Sequence, residues 1–320
     1  MTARKRLLIT RKLQDAIEQR AARDYDVTLN PDDIPVDGDR IVELAQGMDA
    51  ILCAATEKFS AEVIAGLPDS VQILVTFSVG YDHIDVAAAR ARGLVVANTP
   101  DVLSDATADT AMLLLLGAAR HAHEGQMMLR TGNWPGWNPT QMVGVQASFK
   151  RLGIVGMGGI GRAMAARARG FGMQIHYHNR NRLPPELEGA ATYHASLDEM
   201  LPEVDFLSLH CPATAENRGM IDERRLALLP RGAIIVNTAR GSLVDDEALL
   251  AALDSGHIYA AGLDVFDGEP DVHPGYLGRN DCYILPHMGS GTIETRHAMG
   301  FRALDNIDAH FAGATPPDRL

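Results

Sequence analysis

The sequence predicts an α/β chain of two doubly wound parallel-sheet domains, the first of them discontinuous. Three observations carry this. Short apolar runs alternate with helix-like stretches through the first hundred residues, a second series of the same kind begins at Leu152, and one more helical stretch follows the last strand of that series.

In order, Leu7–Thr10, Ala50–Cys53, Ile73–Phe77 and Leu94–Ala97 read as strands, with helices over Leu13–Asp24, Ser60–Gly66 and Val86–Arg92. A longer helical pattern runs from Ser104 to about Leu129 and ends at Thr131-Gly132-Asn133-Trp134-Pro135-Gly136, where glycine and proline interrupt it. The second series supplies strands at Gly153–Val155, Gln174–Tyr177, Phe206–His210, Ala233–Asn237, Ala260–Val265 and Tyr283–Leu285, six in all. The stretch Thr292–Phe311 has no place in that second sheet and is expected to return to the first domain. The first domain is therefore expected to comprise residues 1–100 plus 289–320 and the second 101–288, with hinges near Pro100 and Met288.

Composition narrows the function classes. The 320 residues are 46% hydrophobic with a formal charge of −12, so the average field repels nucleic acid and anionic membrane surfaces. The apolar run Ala111–Ala119 is far below the roughly 20 residues that span a bilayer. Leu7–Ile9 is too short for a signal-peptide core. Cys53, Cys211 and Cys282 are too scattered for a disulfide framework or a metal site, so the expectation is a cytoplasmic protein without a metal.

Gly156-Met157-Gly158-Gly159-Ile160-Gly161 has the G-x-G-x-x-G spacing between a strand and an alanine-rich helix. In that context the first glycine turns the chain, the second lets backbone N–H groups reach a pyrophosphate, and the third packs helix on strand. The motif makes the second domain a Rossmann-like dinucleotide-binding unit. Eighteen residues beyond Gly161, where an NAD site usually carries a carboxylate, stands Asn179, followed by Arg180 and Arg182. A guanidinium beside the ribose suits a 2′-phosphate, which predicts NADP(H) over NAD(H), against the plain reading of a solvated basic loop.

Three further segments stand in characteristic order: Asn237-Thr238-Ala239-Arg240-Gly241, then Gly262-Leu263-Asp264-Val265-Phe266 with Glu269-Pro270, then Leu285-Pro286-His287-Met288-Gly289-Ser290. With them the chain resembles the D-2-hydroxyacid dehydrogenases over nearly its whole length, and most of all the glyoxylate and hydroxypyruvate reductase branch. The resemblance implies two Rossmann-like domains with an active-site cleft between them. Reduction of a 2-keto acid needs a hydride, a proton for the developing alkoxide and a cation for the substrate carboxylate. Arg240 is the candidate cation, His287 the candidate acid and Glu269 the group that orients its ring; alone, each also reads as a surface pair, a structural histidine or a solvated turn. The resemblance further implies cofactor contacts at Thr107, Cys211, Pro212, Thr238 and Asp264, and no redox role for Cys211.

On the substrate side, Phe77-Ser78-Val79-Gly80-Tyr81-Asp82-His83 resembles the family's carboxylate-binding loop, with the N–H groups around Val79 and Gly80 facing the substrate. Ser290 is a further substrate candidate, and His83 reads as structural. Small side chains at Ala54-Ala55-Thr56 leave room for hydroxypyruvate or a longer acid such as 2-ketogluconate beside glyoxylate. Trp134 and Trp137 lie in a segment that crosses a homodimer interface in similar enzymes. Competing readings are a dinucleotide-sensing, corepressor-like protein, a phosphoglycerate dehydrogenase and a formate dehydrogenase. His83 with Gly289-Ser290 disfavours the phosphoglycerate enzyme, and Glu269 disfavours the formate enzyme.

Overall fold

The computed structural model describes residues 4–320; residues 1–3, counted above with the first domain, lie outside the described residues. Backbone contacts group the chain into two units, Met1–Leu103 with Ser290–Leu320, and Ser104–Gly289.

The first unit runs β1 (Arg6–Ile9), α1 (Asp15–Asp24), β2 (Asp26–Thr28), α2 (Gly38–Leu44), β3 (Ala50–Cys53), α3 (Ala61–Gly66), β4 (Ile73–Thr76), α4 (Val86–Ala91) and β5 (Val95–Ala97). All pairings are parallel, in the order β2-β1-β3-β4-β5. Strands covered on both faces need continuous apolar runs, and β3 and β4 are buried at every position. Side chains of Asp37, Ser60 and Asp85 accept from backbone N–H groups of the first turns of α2, α3 and α4, which sets where those helices begin. The C-terminal helix Ile293–Phe311 packs on β4 and α1, and Arg20 ties it to α1 through Asp305 at 2.7 Å and Asp308 at 2.6 Å.

The second unit runs α5 (Ser104–Ala119), α6 (Ala122–Arg130), β6 (Arg151–Val155), α7 (Gly159–Gly170), β7 (Gln174–His178), α8 (Pro185–Glu188), β8 (Thr192–His194), α9 (Leu197–Met200), β9 (Phe206–Leu209), α10 (Glu223–Leu228), β10 (Ala233–Asn237), α11 (Asp246–Asp254), β11 (Ile258–Leu263) and β12 (Cys282–Ile284). Its parallel sheet has the order β12-β11-β10-β9-β6-β7-β8. One face buries Leu115, Met164, Ala168 and Tyr177 under α5 and α7; the other buries Met200, Leu226, Leu250 and Ile235 under α9, α10 and α11. The chain moves outward from β6 to β8 and then crosses to β9, so the order reverses beside β6. That reversal opens a crevice at the carboxyl ends of the strands, where ligands of such sheets bind.

Both sheets depart from expectation in detail. β2 and β8 were not anticipated, and the second sheet has seven strands rather than six. Each of the two is a three-residue edge strand without an apolar run, so periodicity gives no sign of it. The single helix expected over Ser104–Leu129 is two helices, broken at His121, whose φ of 53° is left-handed. Neither glycine nor proline marks that break.

Candidate active site

The glycine loop joins β6 to α7. Gly156 has φ 94°, and a Cβ there would lie 2.5 Å from the backbone nitrogen of Cys211. The end of β9 thus packs directly on the turn, and only glycine fits. Beside Gly158 nothing lies within 4 Å of a Cβ position, so the start of α7, with the amides of Gly159, Ile160 and Gly161, has an open approach. First-turn amides have no partner within their helix, and the helix dipole favours an anion before them. These residues fit a dinucleotide pyrophosphate.

Asn179 follows β7, and its Oδ1 accepts the Met157 N–H at 2.6 Å, tying the ribose-side loop to the glycine turn. Arg180 is exposed and forms no ion pair among the described residues. Arg182 differs: its guanidinium makes a bidentate pair with Glu188, at 2.8 and 2.7 Å, and lies over the Tyr193 ring. The two arginines that looked equivalent in the sequence therefore stand in different environments.

Across the crevice, His210 bridges two hydroxyls, with Nε2 2.8 Å from Ser208 Oγ and Nδ1 3.4 Å from Thr238 Oγ1. Burial pushes its pKa down to about 4, so the ring is neutral at physiological pH. Burial also pushes the Cys211 thiol up to about 11, which keeps it a thiol rather than a nucleophile. The Pro212 carbonyl accepts from Asn217 Nδ2 at 2.8 Å, closing the loop after β9.

Arg240 ends the turn after β10. Asn237 braces this turn: its Nδ2 donates to the Arg240 carbonyl at 2.8 Å and its Oδ1 accepts from the Ala239 N–H at 3.0 Å. Arg240 Nη1 donates to the Ala239 carbonyl at 2.8 Å. The adjacent Gly241 is pressed against the backbone of Phe266 and Asp267, which leaves no room for a side chain. By this contact the Arg240 turn and the loop after β11 are fixed to one another.

That loop carries the acid pair. Glu269 Oε1 accepts from the Phe266 N–H at 2.9 Å and Oε2 meets His287 Nδ1 at 2.6 Å. With Nδ1–H directed at a carboxylate, the remaining ring nitrogen, Nε2, is the one that can deliver a proton outward. Burial alone would raise the Glu269 pKa, but the hydrogen bonds from His287 and Phe266 and the nearby positive charges of His287 and Arg240 outweigh it, and the net direction is down. Glu269 therefore stays ionised beside the ring.

Asp264 clamps the histidine loop. Its carboxylate accepts from the Met288 N–H at 2.8 Å and the Gly289 N–H at 2.7 Å, and its carbonyl accepts from the His287 N–H at 2.8 Å. Between these bonds His287 is held at φ 50°, a conformation that a non-glycine residue keeps only when its surroundings impose it. Burial is the largest influence on Asp264 and raises its pKa despite both amides. Thr107, buried on α5, borders Gly289 beside the same carboxylate.

In the first unit, the turn after β4 has its carbonyls drawn inward. Ser78 O accepts from Thr99 N at 3.0 Å, Val79 O from Asn98 Nδ2 at 2.8 Å, and Gly80 O from Ser78 Oγ at 2.6 Å. The Val79 and Gly80 amides donate to no group among the described residues, which leaves a pair of N–H groups suited to a carboxylate. His83 Nε2 lies 3.0 Å from Thr76 Oγ1 and so braces this turn. Ser290 begins the chain's return to this unit, its carbonyl accepting from Thr292 N at 2.9 Å. Beneath Ala54-Ala55-Thr56 lies the buried Glu57, which accepts from Ala54 N, Thr56 Oγ1 and Thr10 Oγ1 at 2.6–2.8 Å.

Comparison with known proteins accords with this geometry. Residues 112–289 match the model of the D-isomer specific 2-hydroxyacid dehydrogenase NAD binding domain. Glycerate dehydrogenase of Hyphomicrobium methylovorum is 45% identical over 314 residues, covering 98% of each chain. The chain belongs to the D-isomer specific 2-hydroxyacid dehydrogenases. Glyoxylate reductase of Thermococcus litoralis is 38% identical over 98% of this chain and 96% of its own. The crystal structure of an NADPH-dependent glyoxylate/hydroxypyruvate reductase from Sinorhizobium meliloti, in complex with NADP and malonate, superposes with a TM-score of 0.89 at 33% identity, covering 99% of this chain and 97% of that one.

Within this dehydrogenase, several residues that shape the second unit's strand ends carried no signal that was read from the sequence. His210 and Gly241 act through neighbours distant in the chain, Thr238 and the 266–267 backbone, whereas Asn237, Ser208 and Glu188 act on residues two to six positions away that only the turn geometry brings into reach. Asp264 was singled out for a cofactor contact, whereas its role as the clamp of His287 emerges only from the fold. Among the described residues no helix is long and apolar enough to cross a membrane, and no group of three or more potential ligands is placed to hold a metal.

Proposed function

We propose that this dehydrogenase reduces a small 2-keto acid, glyoxylate or hydroxypyruvate before others, to the D-2-hydroxy acid with NADPH. The observation that carries the reading is the Glu269–His287 pair at 2.6 Å beside the braced Arg240 turn. Arg240 holds the substrate carboxylate and polarises its carbonyl. His287 Nε2 gives the proton to the oxygen as negative charge develops there. Glu269 keeps the ring in register. Thr107, Thr238 and Asp264 border the bound nicotinamide cofactor, which supplies the hydride, and the amides of Gly159, Ile160 and Gly161 take its pyrophosphate. Val79, Gly80 and Ser290 are assigned to the substrate.

Support for NADPH comes from the uncharged Asn179, the exposed Arg180 and the NADP complex of the Sinorhizobium relative. Since cells keep NADPH largely reduced, the reaction runs toward the hydroxy acid. Small residues at Ala54-Ala55-Thr56 admit acids longer than glyoxylate, including 2-ketogluconate. Met127, Leu129, Trp134, Trp137 and Val143 expose 45–81% of their surface, an apolar display that supports a homodimer. The three unpaired cysteines suit a reducing cytoplasm.

Initial rates with glyoxylate, hydroxypyruvate, pyruvate and 2-ketogluconate, each with NADPH and NADH, test the proposal. The expected result is the highest kcat/KM for glyoxylate or hydroxypyruvate with NADPH. Failure to turn over any of the four with either cofactor would overturn it in favour of dinucleotide sensing.

A further inference from the structure

The ribose-side loop is held at both ends and open in the middle. At its start, Asn179 Oδ1 accepts from Met157 N at 2.6 Å and the Asn179 carbonyl from Tyr193 OH at 3.4 Å. At its end, Leu183 N donates to Tyr177 OH at 3.1 Å, Tyr177 OH donates to Glu188 Oε2 at 3.0 Å, and Arg182 forks onto both oxygens of Glu188. Only Arg180 and Asn181 lie between these anchors, both exposed.

Glu188 has a side chain only 9% exposed. If Arg182 swung toward a phosphate, Glu188 would keep only the Tyr177 hydroxyl as a partner among the described residues, and a largely covered carboxylate without its cation is disfavoured. Its guanidinium is further held over the face of Tyr193, 5.7 Å from the ring centre. Among the described residues no carboxylate pairs with Arg180 in this way. Arg180 lies near enough to the loop after β9 for its charge to favour the ionised forms of Cys211 and Glu216, as the last of several influences on each.

We propose that Glu188 is a positioning residue for cofactor choice: by holding Arg182 in a bidentate pair it leaves Arg180 as the single guanidinium offered to the 2′-phosphate. This rests on the NADPH reading above and narrows the expectation drawn from the sequence, since Arg182 becomes part of the scaffold rather than a ligand. Its consequence is that the two arginines, two positions apart, have separable effects on the same preference.

The test measures kcat/KM for NADPH and NADH, together with competitive inhibition by 2′,5′-ADP and 5′-AMP, in the wild type and in Arg180→Ala, Arg182→Ala, Glu188→Gln and the Arg180→Ala/Glu188→Gln double variant. Arg180→Ala is expected to cut the preference for the 2′-phosphate compounds about thirty-fold, the loss of one charge-assisted contact, while 5′-AMP binding stays within about twofold. Arg182→Ala is expected to shift that preference by less than about threefold, moving both cofactors together. In the double variant the released Arg182 should restore at least about fivefold of the lost preference, an effect that a purely structural role for Glu188 does not produce.

A wild type without any preference overturns the NADPH reading and this assignment with it. A wild-type preference that Arg182→Ala removes as fully as Arg180→Ala overturns the assignment alone, as does a double variant with no recovery. Should Glu188→Gln fail to fold, the two arginine variants still decide which guanidinium reads the phosphate.

Discussion

Gly241 offers a perturbation whose size can be worked from the backbone. Its φ is negative, so alanine meets no conformational barrier there. The added methyl would, however, sit at about half the separation that two non-bonded carbons keep from the Phe266 carbonyl carbon. Relief requires the Arg240 turn and the 266–267 backbone to part by about 1.5 Å, and Phe266 N is the donor that orients Glu269. Overpacking of this kind costs about 2 kcal/mol, which in a unit of this size lowers Tm by roughly 4–8 °C. Parting Arg240 from the Glu269–His287 pair by more than 1 Å should lower kcat/KM by about a hundredfold. Gly158→Ala is the control: its methyl meets nothing within 4 Å, so Tm should stay within about 2 °C while the KM for the cofactor rises. Thermal melts and steady-state rates read both variants. A Gly241→Ala enzyme with wild-type Tm and kcat/KM within threefold would refute the reasoning.

His210 makes stability fall with acid. Its folded pKa of about 4 lies below the ordinary 6.5, so its contribution is complete above pH 6.5 and is lost as the pH drops through 4, in all about 1–3 kcal/mol. Melts from pH 7.5 to 4 should show a steeper loss for the wild type than for His210→Asn; parallel curves would contradict it. Light scattering should give a mass twice 34.5 kDa for the wild type, and Trp137→Arg should shift it toward the monomer. A monomeric wild type would remove the dimer proposal.

Much of the architecture is legible because it is written in local chemistry. Buried parallel strands such as Ile73–Thr76 and Ala233–Asn237 are apolar up to their last residue, and the Gly156–Gly161 spacing is dictated by a turn that touches its neighbour's backbone. Arg240, Glu269 and His287 stand out because the proposed carboxylate binding and proton transfer call for those residue types at strand ends. The rest depends on the fold. Thr192–His194 becomes a strand only because β7 offers it an edge, and His121 breaks a helix without any residue type that signals it. The pairing of Arg182 with Glu188 becomes visible only once α8 brings that carboxylate back to the loop. Asp264 cannot be seen as the clamp of His287 before β11 and β12 are neighbours, since its bonds span more than twenty residues.

The proposed reduction depends most directly on His287 as proton donor. Turnover of glyoxylate and hydroxypyruvate by His287→Gln, with NADPH binding followed separately by fluorescence titration, isolates that step. The expected result is a kcat lower by about a hundredfold to ten-thousandfold with the cofactor Kd within about twofold of the wild type. A His287→Gln enzyme that turns over at a near-normal rate would contradict it.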